Sequence, residues 1–433
     1  MNIPKAITIL AVAATSASCA ARGAAESAAG LPPAPSTPVE QEVSLSTPTG
    51  NIAGTLYVPA ARFPVPVVLI IAGSGPTDRN GNSAVLPGAN NSLRLLASGL
   101  AAQGIASVRY DKRGIAASRS AGAKEEDLRF DHYVSDAAGW IAQLRGDPRF
   151  STITIAGHSE GSLIGMIAAR EAKADGFVSI AGVGRKATEI LREQLSAQVS
   201  PAVLTQIDAI TAKIEKGEKP DSVPPFLNAL FRPSVQPYLT SWFARDPSVE
   251  IAKLDVPVLI IQGSTDVQVK VDDANRLAAA KPGARLVIVE GMNHVLKTAQ
   301  GSIAQQMPSY SDPNLPVVPQ VLTEIGGFVK GLRPRSASAD HGVGGGNDTL
   351  FGIDKLKHFL LSGFVEGVAF AGLQAVGTGR SASLAGAGAT AAMFAVGREV
   401  HDRRVSGLFS VGDLLWDAVG AGAAFLIVSR IDK

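Results

Sequence analysis

The sequence predicts an α/β fold with a mostly parallel sheet and a helical cap, followed by a separate all-helical segment. Short apolar, β-branched runs recur between residues 65 and 289, and stretches of helical character separate them, an alternation typical of parallel sheets. Residues 183–250 interrupt this rhythm without strand patterning, and their length favours a cap over the ligand site rather than a surface excursion. Beyond residue 332 the chain changes to Gly- and Ala-rich apolar stretches.

Length and charge limit the classes of function. At 433 residues the chain is too long for one small domain, and we expect two. The formal net charge is +2 and 18% of the residues are charged, which gives no indication of a nucleic-acid partner. The chain has one cysteine, Cys19, which excludes an intramolecular disulfide and a cysteine-based zinc site.

The N-terminal sequence predicts export to the cell envelope. Residues 1–20 combine a basic residue, a short apolar run and small residues, as a secretory signal peptide does. Cys19 follows the small residues as in a bacterial lipoprotein signal, which predicts lipidation and a membrane anchor. Ser16 stands where that signal usually has leucine, so ordinary cleavage near Ala20 or Ala25 stays open.

Composition also predicts the domain boundaries. After the signal peptide, residues 21–40 are rich in Ala, Pro and Ser and are expected to form a disordered tether. Residues 41–332 are the α/β domain, residues 333–347 are a linker of Arg, Ser, Ala and Gly, and residues 348–433 are a helical domain.

The elements of the α/β domain follow from the spacing of apolar residues. Residues 42–58 alternate and turn at 49–51, which predicts a hairpin. Continuous apolar runs predict buried parallel strands at residues 65–71, 105–110, 153–156, 177–181, 256–262 and 285–289. Helices are predicted at residues 90–103, 130–144, 187–198 and 204–216 and directly after residue 161.

Residues 157–161, Gly-His-Ser-Glu-Gly, lie between a predicted strand and a predicted helix. This is the context of a Gly-x-Ser-x-Gly nucleophile elbow. Gly157 and Gly161 are needed where a Cβ atom would collide with neighbouring backbone, and the turn exposes the Ser159 hydroxyl. With 45 glycines in the chain a chance match is conceivable, but the flanking elements favour the elbow.

A glycine-rich loop, residues 72–82, follows the first central strand. Such a loop can aim backbone N–H groups at an oxyanion. We expect the oxyanion hole to use the N–H of Glu160 and one from Ser74 or Gly75. A phosphate-binding loop is the other interpretation, but no Gly-Lys-Ser/Thr follows.

His294 is the predicted general base. Besides His294, the domain contains His132, which precedes the nucleophile, and His158, which lies within the elbow and is expected not to reach over Ser159. His294 follows a predicted strand, as Ser159 does, and ligands bind at the carboxyl ends of parallel strands.

Asp266 is the predicted acidic partner of the base, because it also follows a strand. Asp272 and Asp273 compete for this role, but they lie at the start of a predicted helix, where carboxylates cap well. The order serine, aspartate, histidine along the chain is that of α/β-hydrolases.

Several motifs together resemble bacterial carboxylesterases of the α/β-hydrolase superfamily, near the serine aminopeptidase-like and dienelactone hydrolase-like branches. These motifs are residues 73–81, 110–114, 157–161, 263–266 and 292–294. The resemblance covers about residues 41–332 and implies an α/β-hydrolase fold and serine hydrolysis of a small-molecule ester, without cofactor or metal. Ala72 stands where this family often has histidine, which matters little if backbone N–H groups form the oxyanion hole.

Three functions follow from these observations. The first is hydrolysis of carboxylic esters through an acyl-enzyme on Ser159. The second is amide hydrolysis by a serine peptidase of the aminopeptidase-like branch, which shares the triad. The third is a non-catalytic envelope binding module, against which the complete set Ser159, Asp266 and His294 argues.

The C-terminal segment resembles small lipoprotein-like proteins of the bacterial envelope. Ionisable side chains recur there at helical spacing, in the pairs Asp354 and His358, Glu399 and Asp402, and Asp413 and Asp417. A metal or proton site between membrane helices is one interpretation, and buried structural carboxylates are the other and favoured one. We expect packed helices in or on a membrane, although no charge-free run of about 20 residues is present.

Overall fold

The computed structural model describes residue 33 and residues 35–334, apart from 85–87, 123 and 197–198. The predicted signal peptide with Cys19, most of the tether and linker, and the predicted helical domain at 348–433 lie outside the described residues. Among the described helices, none combines the length and apolarity needed to cross a bilayer.

An eight-stranded sheet forms the centre of the described domain. The strands are β1 (Val39–Thr47), β2 (Gly50–Val58), β3 (Val65–Ile71), β4 (Ala106–Tyr110), β5 (Phe150–His158), β6 (Gly176–Ile180), β7 (Val258–Gly263) and β8 (Arg285–Val289). Their order is β1-β2-β4-β3-β5-β6-β7-β8. β2 pairs antiparallel with both β1 and β4. All the remaining neighbours in the sheet, from β4 through β3 to β8, pair in parallel. The predicted mostly parallel sheet is confirmed.

Each central strand is buried on both faces, which explains its continuous apolar sequence. In β3, Leu69 and Ile71 belong to one apolar cluster, whereas Val68 and Ile70 belong to the cluster on the opposite face. This alternation is the period of two that a strand imposes on its side chains. The register places Ile71 opposite Gly157, so the loop after β3 and the turn after β5 begin at the same level of the sheet.

Helices cover both faces of the sheet. Each helix is assigned to a face by the apolar cluster to which its buried side chains belong. One face packs against α2 (Phe130–Arg145), α3 (Glu160–Glu171) and α9 (Val271–Ala280). The other face packs against α1 (Ser92–Ala101) and α11 (Pro319–Gly331). A further helix, α10 (Ile303–Ser311), lies between β8 and α11 in the chain.

The chain between β6 and β7 is helical within the described residues. It comprises α4 (Ala187–Ser196), α5 (Pro201–Glu215), α6 (Asn228–Phe231), α7 (Gln236–Phe243) and α8 (Pro247–Ala252). We refer to α4–α8 as the cap. The helix α5 begins three residues earlier than predicted, because Pro201 fits the first helical position and Ser200 accepts a hydrogen bond from the Val203 N–H.

Asp272 and Asp273 lie in the first turn of α9, as expected of the start of a helix, but neither of them is its N-cap. Lys270 holds the N-cap position of α9, and the Asp273 carboxylate is buried. It accepts hydrogen bonds from the Gly184 N–H at 3.1 Å and from Arg185 at 3.0 and 2.8 Å. Asp273 therefore anchors the start of the cap, because a buried carboxylate needs a charged partner and several donors.

Candidate active site

Ser159 lies on a strained turn between β5 and α3. Its backbone adopts φ 56° and ψ −122°, a conformation that costs a non-glycine residue about 1–3 kcal/mol. The Ser159 N–H donates to the Ile180 carbonyl at 3.0 Å, which helps to hold the turn. A Cβ atom on Gly157 would lie 2.2 Å from the Gly161 oxygen, and one on Gly161 would lie 2.4 Å from the Ile71 oxygen. The two glycines are therefore required by backbone contact.

Asp266 and His294 are in direct contact at the carboxyl edge of the same sheet. Asp266 follows β7 and His294 follows β8, and the His294 Nδ1 lies 2.8 Å from the Asp266 Oδ2. The other carboxylate oxygen accepts from the N–H groups of Gln268 at 2.8 Å and Val269 at 3.0 Å. These contacts fix the carboxylate, and with it the imidazole ring.

The environment keeps Asp266 ionised. Burial raises the pKa of its carboxyl group, but the nearby His294 and the hydrogen bonds from the ring and backbone outweigh burial, so the pKa lies below its usual value. An ionised Asp266 accepts the proton of Nδ1, which leaves Nε2 of a neutral His294 as an acceptor.

The loop after β3 lies against the nucleophile. A Cβ atom on Gly73 would be 3.1 Å from the Ser159 Cβ. The next residues, Ser74 and Gly75, are exposed. Within the described residues, the backbone N–H groups of Ser74, Gly75 and Glu160 donate to no acceptor. These free donors beside Ser159 are the type of group that an oxyanion requires.

Three observations identify the fold. They are the order of the strands, the strained serine turn after β5, and the Asp–His pair that follows β7 and β8. The described domain has the α/β-hydrolase fold. Its elements place Ser159 and the Asp266–His294 pair at one edge of the sheet. In the described part of the chain, the Ser159 hydroxyl makes no hydrogen bond within 3.5 Å to His294 or to any other residue. Such bonds often tighten only when substrate is bound.

His158, which the sequence suggested as a contributor to the surroundings of the triad without a role in proton transfer, contacts the loop that carries His294. Its Nε2–H donates to the His294 carbonyl oxygen at 2.8 Å, and the two ring centroids are 4.8 Å apart. Complete burial and, secondarily, the neighbouring His294 lower the pKa of His158 to about 4. His158 is therefore neutral at pH 7, and its position beside Ser159 in the chain is the one feature of the sequence that points to it.

The loop after β3 is held by polar contacts that explain two of the sequence motifs. The Asp78 Oδ1 accepts from the N–H groups of Asn80 at 2.8 Å and Asn82 at 2.9 Å. Arg79 donates its N–H and its Nε–H to Asp111 at 2.8 and 3.2 Å. The motif at residues 73–81 thus pairs with the motif at 110–114 to fix the loop beside Ser159.

The Glu160 side chain is buried, and its carboxylate accepts hydrogen bonds from two side chains. Lys112 Nζ lies 2.8 Å from one carboxylate oxygen, and the hydroxyl of Tyr238, from the cap, donates to the other. The same Lys112 Nζ donates to the Gly73 carbonyl at 2.6 Å. Lys112 belongs to the motif at residues 110–114, but its contact with Glu160 was not predicted, and neither was that of Tyr238.

Comparison with known proteins agrees with this assignment. Residues 89–298 match the model of a family described as serine aminopeptidase, S33. Esterase EstD of Thermotoga maritima is 25% identical over 254 residues, which are 58% of this chain and 59% of EstD. The chain thus matches less than two thirds of this relative. These two matches confirm the predicted resemblance to esterases and to the serine aminopeptidase-like branch of the α/β-hydrolases.

Two solved structures illustrate the similarity of the chain to known folds. Est1E of Butyrivibrio proteoclasticus, with ferulic acid bound, is 16% identical with a TM-score of 0.44, and the match covers 66% of this chain and 96% of Est1E. Dienelactone hydrolase of Anabaena variabilis is 16% identical with a TM-score of 0.42, and the match covers 69% of this chain and 99% of the relative.

Proposed function

We propose that this protein is a serine hydrolase that cleaves small-molecule carboxylic esters through an acyl-enzyme on Ser159. The observation that carries the proposal is the buried 2.8 Å contact between His294 and Asp266 at the sheet edge where the strained turn presents Ser159. The names of the matched family and of EstD support hydrolysis as the type of reaction.

In the proposed mechanism, the Ser159 oxygen attacks the ester carbonyl carbon while the His294 Nε2 accepts the hydroxyl proton. The negative charge on the tetrahedral intermediate is stabilised by the Glu160 N–H and by an N–H of Ser74 or Gly75. Asp266 stays ionised and stabilises the imidazolium.

Collapse of this intermediate breaks the bond to the leaving oxygen, which takes the proton from His294 and departs as the alcohol. Water then attacks the acyl-enzyme and gives its proton to His294. The second tetrahedral intermediate releases the carboxylic acid, and the Ser159 oxygen regains a proton from His294.

Amide hydrolysis is the second candidate, and the description of the matched family as a serine aminopeptidase favours it. Both reactions use the same nucleophile, so the substrate decides between them. A panel of p-nitrophenyl esters and aminoacyl p-nitroanilides, with the Ser159→Ala variant as control, makes the decision. We expect Ser159-dependent cleavage of the esters. Ser159-dependent release of nitroaniline without ester cleavage would instead establish a peptidase. If neither type of substrate is cleaved, the non-catalytic binding module becomes the favoured function.

We further propose that the protein is exported to the cell envelope and held there by a lipid on Cys19 and by membrane contacts of residues 348–433. The support is in the sequence alone: the lone cysteine after a short apolar run, and the apolar Gly- and Ala-rich stretches of the C-terminal segment.

A further inference from the structure

A buried lysine contacts both segments that carry the proposed oxyanion donors. The Lys112 side chain is 1% exposed and lies at the carboxyl end of β4. Its Nζ donates to the Gly73 carbonyl at 2.6 Å and to Glu160 at 2.8 Å, and it lies 5.0 Å from the centre of the Tyr133 ring. Two hydrogen bonds and a cation–π contact thus fix the position of the ammonium group.

Tyr238 is the second hydrogen-bond partner of the Glu160 carboxylate. Its hydroxyl donates to the second Glu160 oxygen. Burial and, after it, the charge of Glu160 raise the pKa of Tyr238 well above its usual value, so the phenol stays protonated and remains a donor. Both carboxylate oxygens of Glu160 are therefore held, one by the domain and one by the cap.

Tyr238 is itself anchored, although it lies on the cap. Its ring packs at 5.8 Å from Tyr133 and 6.5 Å from Phe130, both on α2. The Ser241 hydroxyl accepts from the Phe130 N–H at 2.8 Å and donates to the Tyr238 carbonyl at 2.7 Å. Because α7 is tied to the start of α2, the Tyr238 hydroxyl reaches Glu160 from a fixed position.

The bond to Gly73 has a consequence for the adjacent N–H group. The Gly73 carbonyl and the Ser74 N–H belong to one peptide unit, and in a trans peptide they point in opposite directions. Holding the carbonyl on Lys112 therefore orients the Ser74 N–H away from Lys112. A cation on the carbonyl oxygen also polarises the peptide unit and strengthens its N–H as a donor.

The burial of this ion pair is not by itself evidence that the pair stabilises the fold. Replacing a buried ion pair with uncharged groups of similar volume is often neutral or stabilising, because desolvation of the charges offsets their attraction. The position of the ion pair is better evidence of its role. Through Lys112, it connects the Gly73–Ser74 peptide to Glu160, the residue directly after the nucleophile.

We propose that Lys112 and Tyr238 are positioning residues that clamp Glu160 and the Gly73–Ser74 peptide, and so set the geometry of both oxyanion donors. This inference rests on the proposed serine hydrolase function. It adds that the cap contributes to the oxyanion hole through Tyr238, rather than acting as a cover alone.

The test is a double variant, Lys112→Met with Glu160→Gln, which removes both charges together and leaves no lone buried charge. We expect kcat for a p-nitrophenyl ester to fall about 10- to 100-fold with KM changed less than about 3-fold, below the loss from deleting one donor outright. Affinity for a trifluoromethyl ketone, which forms a tetrahedral oxyanion on serine, should fall by the same factor as kcat. Affinity for the matching methyl ketone should not change.

The matched control is Arg113→Met with Asp136→Asn. The two side chains of this neighbouring buried pair are 2.5 Å apart, and neither forms a hydrogen bond with Gly73 or Glu160. It should preserve kcat and trifluoromethyl ketone affinity per folded molecule. If the Lys112/Glu160 double variant is folded and keeps wild-type kcat and ketone affinity, the proposal is wrong.

Tyr238→Phe is the second variant, because it removes one oxygen atom and little volume. We expect a smaller loss, about 3- to 10-fold, in kcat and in trifluoromethyl ketone affinity alike. If the double variant does not fold, this variant decides alone, and unchanged ketone affinity overturns the proposal. A wild-type protein that neither hydrolyses esters nor binds the ketone would instead refute the proposed function, so the two failures are distinguishable.

Discussion

At the scale of single residues, Asp266 determines which nitrogen of His294 carries the proton. Its ionised carboxylate accepts from Nδ1, and this leaves Nε2 as the acceptor of the serine proton in the proposed mechanism. The Asp266→Asn variant can present an amide N–H to Nδ1 and favour the wrong tautomer. We expect kcat to fall about 10³- to 10⁴-fold with the fold retained.

Steady-state kinetics on a p-nitrophenyl ester measures this effect. Asp272→Asn is the control, because Asp272 is exposed in the first turn of α9 and competed with Asp266 in the sequence analysis. It should retain full activity. An Asp266→Asn variant with more than about a tenth of wild-type kcat would contradict the assigned role.

His158 makes the stability of the domain depend on pH. Its pKa of about 4 lies below the value of about 6.5 for an unfolded histidine, so between these values the unfolded chain binds more protons. Stability from this group is therefore complete above pH 6.5 and is lost as the pH falls towards 4, by on the order of 2–3 kcal/mol.

Urea unfolding at pH 7 and pH 5 measures this dependence. The wild-type protein should lose more unfolding free energy between the two pH values than His158→Gln, which cannot titrate. Other groups also titrate in this range, so the difference between wild type and variant is the quantity to compare. Equal losses in both proteins would show that His158 is not a buried neutral base.

The site residues that could be predicted from local sequence are those that lie in short motifs or directly after a strand. Ser159 lies in a five-residue pattern, and Asp266 and His294 each follow an apolar strand. Lys112 lies in the motif at residues 110–114, but nothing in that motif indicates its contact with Glu160, and Tyr238 lies in no motif. They meet at Glu160 because β4 and β5 both flank β3 and because a helix of the cap returns to this site, and neither arrangement is encoded in local sequence.

At the scale of elements, the elbow depends on two backbones approaching more closely than a side chain allows. A Cβ atom on Gly157 would lie 2.2 Å from the Gly161 oxygen. Because backbone on both sides has to move, we expect Gly157→Ala to destabilise the domain by about 2–4 kcal/mol or to prevent folding.

The control for the elbow is Gly327→Ala. Gly327 is exposed within α11, and a Cβ atom there would have no neighbour within 4 Å. Since alanine favours the helix, this variant should be as stable as wild type or more stable by about 0.5–1 kcal/mol. Urea unfolding compares both variants, and a Gly157→Ala protein as stable as wild type would refute the packing argument.

The bounds of the strands and helices were largely predictable from the sequence, whereas the order of the strands in the sheet was not. The predicted β8 matches the observed bounds, because its apolar run is bounded on both sides by turn residues. The strand β5 extends back to Phe150, further than predicted, because Phe150 pairs with Val65 across a register shift. The order of strands depends on which crossover packs best, and that is a property of the whole sheet.

At the scale of the whole molecule, two anchors are proposed, and their effects can be separated. Cys19→Ala in the full chain should still sediment with membranes through residues 348–433, whereas Cys19→Ala in a chain ending at residue 334 should be released. Both should keep wild-type kcat, because the proposed catalytic residues lie within the described domain. Sedimentation of the shortened Cys19→Ala chain with membranes would contradict these anchors.

Mass spectrometry of the mature N-terminus tests the lipid directly. We expect the chain to begin at Cys19 with acyl groups and a diacylglycerol attached. A free N-terminus at Ala21 or beyond would show ordinary signal cleavage instead, which is the alternative that Ser16 leaves open.

The central claim is that Ser159 is the nucleophile, and labelling with a fluorophosphonate followed by peptide mapping tests it most directly. We predict one modified peptide containing Ser159, and an unlabelled Ser159→Ala variant whose kcat is lower by about 10⁴- to 10⁶-fold. Ser162→Ala should label normally, because Ser162 is buried against Ser179 at 2.8 Å. Label on any other residue, or a Ser159→Ala variant with full esterase activity, would contradict the account.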